Sequence, residues 1–298
     1  METFSRAGLT FDVRDHRPPQ APGTPAAPGP AAPDAARADP PTAVLLHGFP
    51  QNGSAYDAVI PLLVAGGMRV LVPDQRGYSP GARPRGRRAY TVPELVEDVV
   101  ALLDAAQVER AHVVGHDWGG SVAWTFAGRR PERTLSLTAL STPHPAAMAA
   151  ALRHRDQARR SRYMLGFQLP WLPEARLLAR DGARLRSSLM RSGLSEASAD
   201  RYVQRMREPG ALTAALAWYR ALPVTRGGGA GRTRVPTTYL TGRRDPFFAP
   251  DAVAGTAAFV TGPFEHRELD ADHWLPEHRA SEVATAVLEH AARATRPD

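Results

Sequence analysis

Three residues far apart in the chain have the types and the order of a nucleophile, an orienting acid and a base: Asp117 in AHVVGHDWGGSVAWTF, Asp245 in TTYLTGRRDP and His273 in DADHW. A carboxylate, with an ordinary pKa of about 3.9, is already anionic at neutral pH and needs no base to attack. The histidine is then free to activate water. If Asp117 attacked an acyl ester, the intermediate would expel the carboxylate again and transfer would stall. Displacement at a saturated carbon has no such problem, because it leaves an alkyl ester that activated water can cleave at the carbonyl. The residue types therefore point to an alkylating electrophile, either an epoxide or an alkyl halide. An opened epoxide leaves an alkoxide and needs a proton donor such as tyrosine, whereas a halide needs only N–H donors.

These side chains must be held by particular elements. Gly115-His116-Asp117-Trp118-Gly119 has the form of a nucleophile elbow, in which flanking glycines permit a sharp turn from the strand AHVVG into the helical GGSVAWTFA. The competing reading makes Asp117 the N-cap of that helix. Asp245 lies just past the strand TTYLTG, and His273 follows the last strand, where parallel sheets collect their functional side chains. HGFP, at 47 to 50, follows the strand TAVLL and brings the backbone N–H of Phe49 beside that of Trp118 as an oxyanion hole. His47 is expected to hold this loop. HWLPEH lacks the HExxH spacing, so neither a metal nor a cofactor is expected.

The wider pattern supplies the scaffold. LTFDVRD (9 to 15), TAVLLHGFP (42 to 50), RVLVPDQRGYS (69 to 79), AHVVG (111 to 115), VPTTYLTGRRD (235 to 245) and HRELDADHW (266 to 274) read as strands. Helical segments alternate with them, among them PELVEDVVALLDAAQV, for which Thr91 and Glu94 form a capping box, and SEVATAVLEHAA near the end. This alternation predicts an α/β fold with a mostly parallel central sheet and helices on both faces. Residues 146 to 222 show no strand pattern and read as an inserted helical cap. The predicted division is a core of 1 to 145 and 223 to 298 with that cap between. Residues 17 to 41 form a flexible Pro/Ala-rich loop, and the GGGAG run at 227 to 231 is the hinge back to the core.

The core motifs HGFPQ, DQRGYS, GHDWGG, the late acid and DADHW together resemble the epoxide hydrolases of the α/β-hydrolase superfamily, over nearly the whole chain apart from the Pro/Ala insert. The resemblance implies an epoxide and water as substrates and a vicinal diol as product. It also implies two ring-opening tyrosines in the cap: Tyr163, ahead of FQLP, and Tyr219, in AWYRAL. Phe49 and Trp118 are expected to contact substrate, and Trp171 and Trp218 either to contact it as pocket-lining residues or simply to pack. Fluoroacetate dehalogenases resemble the chain too, but carry arginine after the nucleophile, where Trp118 stands here. Many haloalkane dehalogenases share Asp-Trp but place asparagine after HG, where Phe49 stands here. A hydrolase-fold binding protein without turnover is a third reading, which the intact triad disfavours.

The 298 residues suffice for one large core with one insertion, and the absence of cysteine excludes disulfides, thiolate sites and a cysteine nucleophile. All 37 basic residues are arginine, giving a formal net charge of +7. They are spread along the chain without a nucleic-acid-binding signature, so no nucleic-acid partner is expected. No apolar run reaches the roughly 18 residues that a bilayer span requires, and the expectation is a soluble, cytoplasmic protein without membrane contact, monomeric or homodimeric.

Overall fold

TAVLL, RVLVP and AHVVGH become strands in which every residue is buried, as expected of parallel strands covered on both faces. The computed structural model describes residues 1–19, 39–225 and 229–294. Most of the Pro/Ala-rich stretch and the first glycines of the GGGAG run lie outside the described residues. The strands are β1 (Thr3–Arg6), β2 (Leu9–His16), β3 (Thr42–Leu46), β4 (Arg69–Pro73), β5 (Ala111–His116), β6 (Thr134–Leu140), β7 (Thr237–Gly242) and β8 (Phe264–Leu269). They form one sheet in the order β1-β2-β4-β3-β5-β6-β7-β8, parallel from β4 to β8 and antiparallel where β2 meets β1 and β4.

The strand order contains the functional logic. From β3 the chain moves outward to β4 and then returns to the other side of β3 as β5, so β3 and β5 meet at a topological switch point. Their carboxyl ends open a crevice there. The HGFP loop leaves β3 and the Asp117 turn leaves β5 at that crevice. Alternation along β3 divides the core: Val44 and Leu46 pack with the helices Val92–Ala105 and Trp118–Arg129, while Ala43 and Leu45 pack with Ile60–Ala65 and Ala280–Ala294.

Between β6 and β7 the described chain is entirely helical from Pro145–Ala151 to Ala211–Ala221 and the short turn Leu222–Val224. Among the described residues no helix is long and apolar enough to cross a membrane.

One local expectation is corrected, and one strand is added to those expected. The helix Val92–Ala105 buries Leu95, Val96, Val99 and Leu103 as the periodicity predicts, but Thr91 makes no side-chain cap. Its hydroxyl donates to the Arg88 carbonyl instead, and Glu94 pairs with Arg6 at 2.9 Å. An ion pair across to β1 has taken the carboxylate that a capping box would use. Strand β6, TLSLTAL, alternates polar and apolar residues, and six of its seven residues are buried. Two of its hydroxyls find partners inside the fold: Ser136 lies 2.8 Å from His112 Nδ1, and Thr134 donates to the Arg130 carbonyl at 3.0 Å.

Candidate active site

Asp117 begins the helix Trp118–Arg129 with φ 51° and ψ −119°, and its side chain makes no cap hydrogen bond. The capping reading fails on that point, since the carboxylate turns away from its own helix. A positive φ at a non-glycine residue is strained, and here it aims the side chain into the crevice. The flanking glycines serve close packing rather than dihedral freedom. A Cβ on Gly119 would lie 2.1 Å from the Leu46 carbonyl oxygen, and one on Gly115 would lie 2.3 Å from that of Gly119.

The distant partners converge on this turn. Asp117 Oδ1 accepts from the Phe49 N–H at 2.8 Å, and Oδ2 lies 3.7 Å from His273 Nε2. The other ring nitrogen, Nδ1, is 2.7 Å from Asp245 Oδ2, while Asp245 Oδ1 accepts from the Phe247 N–H at 2.7 Å. Burial alone would push His273 down, but the charges of Asp245 and Asp117 outweigh it and raise the imidazole to about 10. Burial would likewise raise Asp117, yet the hydrogen bond and charge of His273, with the Phe49 N–H, hold it below the usual carboxylate value. The two carboxylates thus favour the protonated form of His273, and His273 in turn favours the anionic form of Asp117.

Aromatic rings enclose the carboxylate side. Tyr219, 3% exposed, packs edge-on to Trp118 at 5.0 Å and Phe49 at 5.5 Å between centroids. Tyr163, at the rim and 37% exposed, stands 6.1 Å from Tyr219 and touches Phe167 and Phe247. Burial above all, and then neighbouring charge including that of Asp117, pushes both phenols above their ordinary pKa. Both phenols stay protonated at neutral pH.

The family described as alpha/beta hydrolase fold matches residues 41–280. Over 291 residues the chain is 33% identical to Epoxide hydrolase A of Mycobacterium tuberculosis, covering 84% of this chain and 89% of that one. It is 33% identical to Epoxide hydrolase 3 of Xenopus tropicalis, covering 84% and 71%. The chain belongs to the epoxide hydrolases of the α/β-hydrolase superfamily. It is also 36% identical to the AB hydrolase superfamily protein YfhM of Bacillus subtilis, covering 86% of this chain and 92% of that one. The crystal structure of Epoxide Hydrolase A from Mycobacterium thermoresistibile superposes with a TM-score of 0.77 over 97% of each chain at 24% identity, a likeness of fold.

In this member of the epoxide hydrolase family, two candidate contact residues lie elsewhere. Trp171 is 72% exposed and lines an outer cleft with Arg87, Gln168, Glu174 and Arg220, away from Asp117. Trp218 is 1% exposed, donates its indole N–H to the Arg76 carbonyl at 2.8 Å and packs behind Trp118. Its ring supports the site's wall from the core side. His47 holds its loop as expected: Nε2 accepts from the Gln75 N–H at 3.1 Å, and its carbonyl accepts from the Gln75 side chain.

Several neighbours were missed by sequence reasoning. Phe247, two residues after the acid, packs on His273 at 4.7 Å, and Phe167 packs on Tyr219 at 5.0 Å. Gly48 backs the nucleophile, where a Cβ would lie 2.4 Å from that of Asp117. Its place inside HGFP was the available signal. Gly48→Ala is expected to push the carboxylate off line and lower turnover by more than about tenfold. Turnover that matches the unmodified protein in a steady-state assay would show that the loop absorbs the methyl group.

Proposed function

We propose that this protein hydrolyses an epoxide to a vicinal diol through a covalent ester on Asp117. The observation that carries the reading is a single constellation: an elbow aspartate whose side chain does not cap its helix, with the His273–Asp245 pair on one side and two tyrosines set in aromatic walls on the other. The helical segment 146 to 222 acts as a cap that carries both tyrosines, and residues 1 to 145 and 223 to 298 form the core.

In the first step Tyr163 and Tyr219 donate hydrogen bonds to the epoxide oxygen while Asp117 attacks a ring carbon. The carbon–oxygen bond breaks, and one tyrosine passes its proton to the alkoxide. In the second step His273 takes a proton from water, the hydroxide adds to the Asp117 ester carbonyl, and the N–H groups of Phe49 and Trp118 stabilise the oxyanion. Collapse expels the diol oxygen, which takes the proton of the added hydroxyl, and restores the carboxylate. The tyrosinate regains from solvent the equivalent of the proton that His273 sheds when Asp117 is esterified. The halide readings are weaker, because the Phe49 N–H already serves the nucleophile in the resting state.

The charge balance orders the two steps. An imidazole raised to about 10 is a poor base at neutral pH, but esterification removes the Asp117 charge that helps to raise it. The base becomes available only after the nucleophile has been consumed. The half-reactions should therefore respond differently to pH. Ester formation needs the Asp117 anion, whose lowered pKa keeps it ionised as the pH falls through the usual carboxylate range. Ester hydrolysis needs neutral His273, so its rate should fall as the pH drops below the pKa of the esterified form. Stopped-flow single turnovers across pH 5 to 9 measure both rates. A common pH dependence for the two would refute this ordering.

The deciding experiment is a single turnover of excess enzyme with styrene oxide or an aryl glycidyl ether in oxygen-18 water. Label in the peptide containing Asp117, with unlabelled diol, is the expected result. Label in the first-turnover diol alone would mean direct attack by water and end the covalent reading.

A further inference from the structure

A chain of buried polar side chains runs from the helical segment into the triad without touching the Asp117 side chain or either site tyrosine. Tyr202, on the helix Glu196–Met206, donates its hydroxyl to Glu277 Oε1. The same oxygen accepts from Gln51 Nε2 at 3.2 Å. Gln51 Oε1 accepts from the Gly48 N–H at 3.2 Å and lies 2.8 Å from His116 Nδ1. His116 Nε2 in turn lies 2.8 Å from the carbonyl oxygen of His273, which also accepts from Ser141 Oγ at 2.7 Å. Burial keeps His116 neutral, so its single ring N–H bonds either Gln51 Oε1 or this carbonyl, one tautomer at a time. Gln51, His116 and Tyr202 are completely buried. Buried polar groups hold their partners firmly, because an unmade bond has no water to replace it.

The positions of these residues define what the chain connects. Gln51 closes the HGFP loop, His116 ends β5, and Glu277 sits on the short helix Leu275–His278 after the His273 loop. One amide side chain thus joins the loop that donates the Phe49 N–H to the loop that carries the base. The backbone carbonyl of Asp117 is held separately, by Thr142 Oγ1 at 2.7 Å.

We propose that Tyr202, Glu277, Gln51 and His116 form a positioning strut through which the helical cap sets the alignment of His273 and the Gly48-Phe49 loop for the second half of the reaction. The inference rests on the two-step reading above. His273 as base and Phe49 as oxyanion donor both act in ester hydrolysis, whereas ring opening depends on Asp117 and the two site tyrosines. Slackening the strut at its outer end therefore slows hydrolysis selectively, and alkyl-enzyme accumulates during turnover.

The test uses the full-length protein with Tyr202→Phe, Glu277→Ala and Glu277→Gln, measuring ester formation and ester hydrolysis by rapid quench and mass spectrometry, with a melting curve for each variant. Hydrolysis is expected to be about tenfold slower in Tyr202→Phe and Glu277→Ala, consistent with small displacements of a catalytic group, while formation stays within about twofold. Glu277→Gln keeps an acceptor for both donors and should retain most of the hydrolysis rate. Formation and hydrolysis falling together, neither changing, or Glu277→Gln failing as badly as Glu277→Ala would each overturn the strut. If the unmodified protein makes diol with no alkyl-enzyme, the two-step reading falls instead, and the strut is judged on steady-state rates. A lower kcat at unchanged KM, spared in Glu277→Gln, would then support it, and an unchanged kcat in Tyr202→Phe would overturn it.

Discussion

Replacing His273 by glutamine is expected to stop the reaction after its first chemical step, leaving a protein heavier by one substrate molecule. Glutamine preserves polarity and approximate size but cannot take a proton from water. It also removes the positive charge that holds Asp117 below its usual pKa, although a carboxylate remains ionised at neutral pH without that help. Ring opening should therefore continue while ester hydrolysis falls by about 10²- to 10⁴-fold, the range typical of a lost general base. Intact-protein mass spectrometry after mixing with epoxide reads this directly. Absence of an adduct, with a substrate that the unmodified protein turns over, would remove the covalent intermediate.

The double replacement Tyr163→Phe with Tyr219→Phe acts on the opposite half of the cycle. Both rings keep their packing against Phe167, and Tyr219 keeps its contacts with Trp118 and Phe49, so the walls of the site persist. What is lost is the pair of hydroxyl donors, and the opening epoxide then forms an alkoxide without a proton source. Ester formation should slow by more than about 100-fold, and little or no alkyl-enzyme should accumulate. The two experiments are complementary, one trapping the ester and the other preventing it. Near-normal turnover in the double variant would remove the tyrosines from the mechanism.

Legibility in the sequence varied by element for physical reasons. Strands β3, β4 and β5 are continuous apolar runs, and β2 alternates, so local composition reveals them. Strand β6, TLSLTAL, alternates as β2 does and was legible by the same measure, although it was not among the expected strands, and its polar positions are nevertheless buried. Thr91 and Glu94 have capping-box spacing, yet Arg6 from β1 captures the glutamate. Trp171 could be read from the sequence as a packing or a pocket-lining residue, but its backbone takes φ 51° and its ring is 72% exposed.

The sequence by itself determined the chemistry available to this protein and the order in which it is presented: an aspartate at an elbow, a later acid, a last histidine, and tyrosines in a helical stretch. Those features are local, since residue type sets acidity and nucleophilicity, and short-range periodicity sets strand, turn and helix. The tertiary structure decided which groups touch. The crossover between β3 and β5 brings the Phe49 N–H to Asp117, and the parallel neighbours β7 and β8 carry Asp245 and His273 to the same edge. Charge coupling between the groups so gathered outweighs burial in shifting His273 and Asp117, and Gln51 is brought within hydrogen-bond distance of both Glu277 and His116. Hydrogen bonding and charge coupling depend on distance through space and on exclusion of water, and neither quantity is written in the spacing of residues along the chain.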